Sequence, residues 1–256
     1  MMRADYLSID GAAAFVEQWG DGRPLLCIHT AGQSGVQWRS VAPGLVARGY
    51  HVIVPDLPGH GRSEPAREGP VRDLGRYGAW CEKLIDHLRF DAPLVIGCSI
   101  GGKIALDLAI RCGKRLSGVV AMAADSGMAK NEGAAMVRRL ERELEDSAAP
   151  SRSDRTYLGT LAVVGRGVAK ERAELMGWAS FDCRGSLADI ACPVHLVVGE
   201  DDLWLDPANV RRTAENIPTA CYTLVEGIGH YPMEELDDAA ERIHAWIAQM
   251  MTARRV

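Results

Sequence analysis

Short apolar runs closed off by Gly, Pro or Asp recur along the first half of the chain, at Leu25 to His29, His51 to Pro55, Leu94 to Cys98 and Val119 to Ala123. Runs of this length without polar alternation predict strands buried on both faces. Helical spacing fills the intervals: Tyr77, Trp80, Leu84 and Leu88 share one face of Leu74 to Leu88, and a second helix is predicted over Ile104 to Ile110, ending near Gly113. Strand, helix, strand in this order predicts an α/β fold with a mostly parallel central sheet and helices on both faces. Two late runs, Val194 to Val198 and Cys221 to Val225, add strands, and an amphipathic helix from about Asp237 to Met250 closes the chain.

The alternation fails in the middle. Between about Ser126 and Ser186 the only strand candidate is Leu161 to Val164, and a charged helix is predicted at Val137 to Asp146, with Val137, Leu140 and Leu144 on one stripe. A polar break at Ser147 to Asp154 suits a loop between two short helices. This predicts a core made of residues 1–125 and 187–256, interrupted by a small helical cap insertion over 126–186. Such an insertion would lie over the carboxyl ends of the strands, where open α/β sheets bind ligands.

Composition narrows the classes. A chain of 256 residues with 47% hydrophobic and 25% charged residues is ordinary for a single large globular domain. The net charge of −5, without a basic run longer than two residues, argues against nucleic acid or an anionic membrane as the main partner. The longest stretch free of Asp, Glu, Lys and Arg is Pro24 to Trp38, only 15 residues, too short for a bilayer. The first residues, with acids at Asp5, Asp10 and Glu17, lack the apolar core of a secretory signal, so a cytoplasmic location is expected. Seven cysteines without a Cys-x-x-Cys pair suggest neither a disulfide framework nor a zinc site, and are expected to be buried small hydrophobes.

Candidate chemistry centres on Leu94-Val95-Ile96-Gly97-Cys98-Ser99-Ile100-Gly101-Gly102. A serine directly after an apolar strand and before a helix, with Gly at −2 and +2, has the form of a nucleophile elbow. The serine backbone is forced into a tight turn, and side chains at ±2 would collide. The Ile100 amide at the helix start would then face a developing oxyanion. Cys98 is a poorer nucleophile candidate, since Ile96 and Ile100 would occupy its ±2 positions. Gly97 to Lys103 also reads Gly-x-x-x-x-Gly-Lys, the start of a phosphate-binding loop, with Asp56-Leu57-Pro58-Gly59 as a GTPase-like switch. Two features count against nucleotide binding: position 104 is Ile where a magnesium-binding Ser or Thr is needed, and the Asp-x-x-Gly segment precedes the loop when it should follow.

A serine nucleophile needs a base and an orienting acid. Of seven histidines, His51, His87, His195 and His244 fall within strand or helix patterns, His29 ends a strand and His60 lies in an early turn. His230, in Gly227-Ile228-Gly229-His230-Tyr231-Pro232 after the last strand, is best placed to swing over Ser99. Three adjacent acids, Glu200, Asp201 and Asp202, follow the strand ending at Gly199, and Asp125 ends an earlier one.

Together these residues resemble the α/β-hydrolase superfamily over nearly the whole chain, and Asp56-Leu57-Pro58-Gly59-His60-Gly61-Arg62-Ser63 is similar to its turn after an early strand. The resemblance implies Asp202, three residues after Gly199, as the acid, with Asp125 as the alternative position. It implies a second oxyanion amide from Ala31, although His29-Thr30-Ala31-Gly32 carries Thr30 where Gly is usual. It also implies a serine hydrolase, with Ser99, Asp202 and His230 acting on a small carboxylic ester or lactone through an acyl-enzyme and requiring neither metal nor organic cofactor. A carbon–carbon bond hydrolase of a vinylogous diketone, or a non-catalytic small-molecule receptor, would fit the same fold. Met128, Met136, Leu158, Leu161, Met176 and Trp178 could line an acyl pocket or simply form core, and Arg138, Arg139 and Arg142 are expected on a solvated face.

Overall fold

The computed structural model describes residues 2–128 and 168–253. Its centre is one eight-stranded sheet: β1 (Met2–Ile9), β2 (Ala12–Trp19), β3 (Arg23–Ile28), β4 (Tyr50–Pro55), β5 (Leu94–Cys98), β6 (Gly118–Met122), β7 (Val194–Gly199) and β8 (Ala220–Val225), in the order β1-β2-β4-β3-β5-β6-β7-β8. From β4 through β8 every neighbouring pair is parallel, while β1 and β2 join antiparallel at one edge. Strands β4 to β7 are buried along their full length, which is why they read as unbroken apolar runs.

The hairpin of β1 and β2 is absent from the reading by apolar runs, because β1 is almost wholly exposed and carries no such run. Its signature is the turn. Ile9 pairs with Ala12 across a two-residue loop, Asp10-Gly11, whose φ values of 52° and 74° are those of a type I′ turn. The helix Leu74–Leu88 has its predicted bounds, capped by the Asp73 carboxylate, which accepts from Gly75 N. The second helix runs Ile100–Cys112, four residues earlier than its apolar spacing suggests, because glycines Gly101 and Gly102 are helical here. The last helix is Ala239–Ala253, and a helix at Pro207–Glu215, capped by Asp206, joins β7 to β8.

Between β6 and β7, the helix Val168–Ser180 is followed by a 3₁₀ segment, Arg184–Asp189. The predicted helix over 137–146, the strand candidate over 161–164, and Met136, Leu158, Leu161, Arg138, Arg139 and Arg142 lie outside the described residues. Of the remaining pocket candidates, Trp178 is buried, Met128 packs partly buried against the core, and Met176 is exposed. Five of the seven cysteines are buried, Cys183 and Cys221 are half-buried, and all are free thiols.

Candidate active site

Because β5, β7 and β8 are parallel, their carboxyl ends lie on one side of the sheet, and the segments after them carry Ser99, Asp202 and His230. Ser99 is the single residue between β5 and the following helix, at φ 57° and ψ −118°. A non-glycine residue held there stores of order 1–3 kcal/mol of strain. The surroundings hold it: Ser99 N donates to Met122 O at 3.0 Å, and Ser99 O accepts from Lys103 N at 3.0 Å. The glycine requirement is visible as crowding. A Cβ on Gly97 would lie 2.1 Å from Gly101 O, and one on Gly101 would lie 2.5 Å from Ile28 O and 2.7 Å from His29 O.

His230 and Asp202 are brought together. His230 Nδ1 lies 2.9 and 2.8 Å from the two Asp202 carboxylate oxygens, and both side chains are buried. Asp202 Oδ1 also accepts from Trp204 N at 2.8 Å and Leu205 N at 3.1 Å, so the carboxylate is aimed by its own turn. With Nδ1–H donating to the acid, Nε2 is left as the basic atom, the tautomer a general base needs. The loop carrying His230 crosses close over β7: a Cβ on Gly199 would lie 2.1 Å from Ile228 O. Glu235 accepts from Gly229 N and Tyr231 N, at 2.8 and 2.9 Å, and fixes the loop on either side of the histidine. The Trp204 ring stacks on the imidazole at 5.6 Å, and Trp178 meets Trp204 edge-on at 6.1 Å.

Cys98 donates its thiol to His230 O at 3.3 Å, which ties the histidine backbone to the residue preceding Ser99. Burial pushes that thiol far up in pKa and leaves it inert. Among the described residues no hydrogen bond joins the Ser99 hydroxyl to His230, an alignment that in unliganded sites often forms only with substrate.

Asp125 is occupied elsewhere. Its Oδ1 accepts from Lys103 Nζ at 2.6 Å, and both residues are buried. The ammonium also lies 5.1 Å from the Trp178 ring centre and 5.3 Å from that of Phe181. The same pairing removes Lys103 from any phosphate-binding role.

The loop after β3 is a tight turn. Gln33 N donates to Thr30 O at 3.3 Å, and Gly32, at φ 66°, takes the positive-φ position of a type II turn. Thr30 stands at the first position, where a β-branched residue is unstrained. Its amide donates to Gln37 Oε1 at 3.0 Å, and its carbonyl accepts from His29 Nδ1 at 2.8 Å. His29 Nε2 accepts from Leu57 N at 3.0 Å, so this imidazole is neutral. Burial first, then the neighbouring His60, push its pKa down to about 3. The amides of Ala31 and Ile100 donate to no acceptor among the described residues.

Three further histidines have partners away from this site. His195 bridges Trp246 O and Thr223 Oγ1, His244 meets the Tyr50 hydroxyl, and His51 packs edge-on against Phe90. Trp204 and Glu235, which carry no motif, enter the site through the ring stacking and the loop hydrogen bonds that hold His230.

A predominantly parallel eight-stranded sheet, with helices on its faces and a strand-turn-helix elbow at its centre, defines the α/β-hydrolase class. The profile of the Alpha/beta hydrolase family matches residues 25–245, and the chain belongs to that family. The chain is 47% identical over 92 residues to the magnesium-chelatase 30 kDa subunit of Rhodobacter capsulatus, a match covering 35% of this chain and 31% of that protein. It thus spans about a third of that relative's length. Over longer spans it is 24% identical to the pimeloyl-[acyl-carrier protein] methyl ester esterase of Aeromonas salmonicida, covering 85% of this chain and 92% of that one. Among solved structures, the fold matches a thermophilic esterase of Thermogutta terrifontis with a TM-score of 0.75 at 22% identity, covering 97% and 99% of the two chains. It also matches Est816, described as an N-acyl homoserine lactone degrading enzyme, with a TM-score of 0.75 at 25% identity over 94% and 99%.

Proposed function

We propose that this protein is a serine hydrolase that cleaves a small carboxylic ester or lactone. The observation that carries the proposal is the buried Asp202–His230 pair, with the His230 carbonyl accepting from the thiol of Cys98, the residue before a strained Ser99. The esterase and lactone-degrading relatives support the substrate class. His230 Nε2 takes the Ser99 proton as Oγ bonds to the substrate carbonyl carbon, and Asp202 stabilises the imidazolium. The oxyanion is received by the Ala31 and Ile100 amides. Collapse breaks the carbon–oxygen bond, and the departing alcohol, tethered to the acyl group in a lactone, takes the proton from His230. Water, deprotonated by the same imidazole, then attacks the acyl carbon, and as the Oγ–carbon bond breaks the imidazolium returns that proton to Ser99 Oγ, releasing the acid. No step draws on a metal or an organic cofactor. Residues 126–186 are proposed as a cap over this site. No helix among the described residues is long and apolar enough to cross a membrane.

The same triad would serve carbon–carbon cleavage. That reading is favoured by the 24% identity over 251 residues to the 2-hydroxy-6-oxo-6-phenylhexa-2,4-dienoate hydrolase of Burkholderia cepacia. A panel containing esters, lactones and vinylogous diketones separates the two. The decisive test is mass-spectrometric detection of acylated Ser99 together with turnover by Ser99→Ala, expected to fall on the order of 10⁶-fold in kcat. Surviving turnover removes Ser99 as nucleophile. A fluorophosphonate that leaves Ser99 unlabelled would point to a non-catalytic receptor.

A further inference from the structure

Glu174, on the helix Val168–Ser180, is fully buried yet lies on no motif. Its carboxylate faces three separate segments. Oε2 accepts from Gly32 N at 3.2 Å, Oε1 accepts from the Tyr77 hydroxyl of the helix Leu74–Leu88 at 3.0 Å, and Oε1 lies 2.6 Å from His60 Nε2 in the turn after β4. His60 in turn packs against the ring of His29, whose Nδ1 holds the carbonyl of Thr30.

The Gly32 contact matters because of the turn it grips. The Ala31–Gly32 peptide is the central peptide of the type II turn, and the commonest alternative, type I, differs chiefly by rotating that peptide by about half a revolution. Rotation would withdraw the Gly32 N–H from Glu174 and turn the Ala31 carbonyl toward a carboxylate oxygen, replacing attraction with repulsion. The Ala31 amide adjoins that peptide and, among the described residues, donates to no acceptor.

We infer that Glu174 is a positioning residue for the reaction: by holding the Gly32 amide it locks the turn that presents the Ala31 amide to the oxyanion, and so couples oxyanion stabilisation to the seating of the helix Val168–Ser180. This rests on the serine hydrolase reading of the site.

The test compares wild type with Glu174→Ala, Glu174→Gln and Glu174→Asp by hydrogen exchange of the peptide spanning residues 30–38. It also compares kcat and KM on an activated ester, normalised to active sites titrated with fluorophosphonate, and the Ki of a trifluoromethyl ketone, which binds as an oxyanion. Glutamine keeps an oxygen for Gly32 N, so Glu174→Gln is expected to stay within about fivefold of wild type. Glu174→Ala is expected to speed exchange at Gly32 by roughly tenfold or more. Its kcat is expected to fall on the order of 10- to 100-fold, below the ~10²–10³ of deleting a donor outright, with KM changed less than about threefold and the ketone Ki rising in parallel with the kcat loss.

If Glu174→Ala fails to fold, Glu174→Asp, which retracts the carboxylate by one methylene, carries the same expectation. Unchanged exchange at residues 30–38 overturns the clamp whatever the activity. Faster exchange with unchanged kcat per titrated site overturns the positioning role, as does a loss confined to the number of titratable sites. Turnover that survives Ser99→Ala sinks the hydrolase reading instead, and the exchange result distinguishes that failure from failure of the clamp.

Discussion

Replacing Asp125 and Asp202 in turn by asparagine should produce opposite failures. Asp202 holds His230 through both carboxylate oxygens, and its turn supplies two further donors, so the asparagine can keep its place while presenting an amide to Nδ1. The imidazole is then held in the wrong tautomer, with the proton on Nε2 where the base must accept one. Asp202→Asn should lower kcat about 10⁴-fold with little change in stability. Asp125 sits 2.6 Å from Lys103 Nζ, and neither group reaches solvent. Asp125→Asn leaves an uncompensated buried ammonium, which costs about 3–5 kcal/mol. At roughly 2–4 °C per kcal/mol for a chain of this length, the melting temperature should fall by roughly 6–20 °C. Because Trp178 and Phe181 pack around the same ammonium, the apolar pair Lys103→Met with Asp125→Leu should recover most of that loss, as buried ion pairs replaced by matching apolar groups commonly do. Calorimetry gives the melting temperatures, and burst titration gives activity per intact site. A stable Asp125→Asn protein with kcat per site reduced a thousandfold or more would refute the assignment and move the acid to β6.

The crowding at the elbow predicts that Gly101→Ala, whose Cβ would meet the Ile28 and His29 carbonyls at 2.5 and 2.7 Å, lowers stability by about 1–3 kcal/mol and distorts the oxyanion loop; a urea midpoint within error of wild type would contradict it. Stability should also fall on acidification between about pH 6.5 and 5. His29 is held neutral with its pKa near 3, and His195 is likewise lowered by burial, whereas in the unfolded chain both take a proton near pH 6.5. The unfolded state therefore binds more protons across this window. Each imidazole contributes up to about 1.4 kcal/mol per pH unit, stability that is present above pH 6.5 and lost below it, which urea unfolding at pH 7.5 and 5.5 would read directly. Below about pH 4 the loss should steepen, as two carboxylates take up protons: burial pushes both upward, but Glu17 is held below its ordinary value by Arg39 and Arg62, and Asp56 by Arg62 and the Gly35 amide.

What the linear order of residues settled by itself was whatever depends on neighbours a few positions apart. Unbroken apolar runs marked β4 to β7 because those strands are buried on both faces, and Gly97, Ser99 and Gly101 marked the elbow because a turn that tight excludes side chains two residues away. The hairpin's exposed outer strand, β1, left only its Asp10-Gly11 turn as a trace. The residues alone left three consecutive acids after β7 open, with only the family resemblance favouring Asp202, and Asp125 stayed an alternative until its partner Lys103 was in view. Folding decided between them by pairing groups far apart in the chain, His230 with Asp202 and Lys103 with Asp125. Glu174 is the extreme case: it reaches Gly32 across 142 positions, a contact set by the packing of one helix against the helix Leu74–Leu88 and the turn after β3, and by no local preference of either residue.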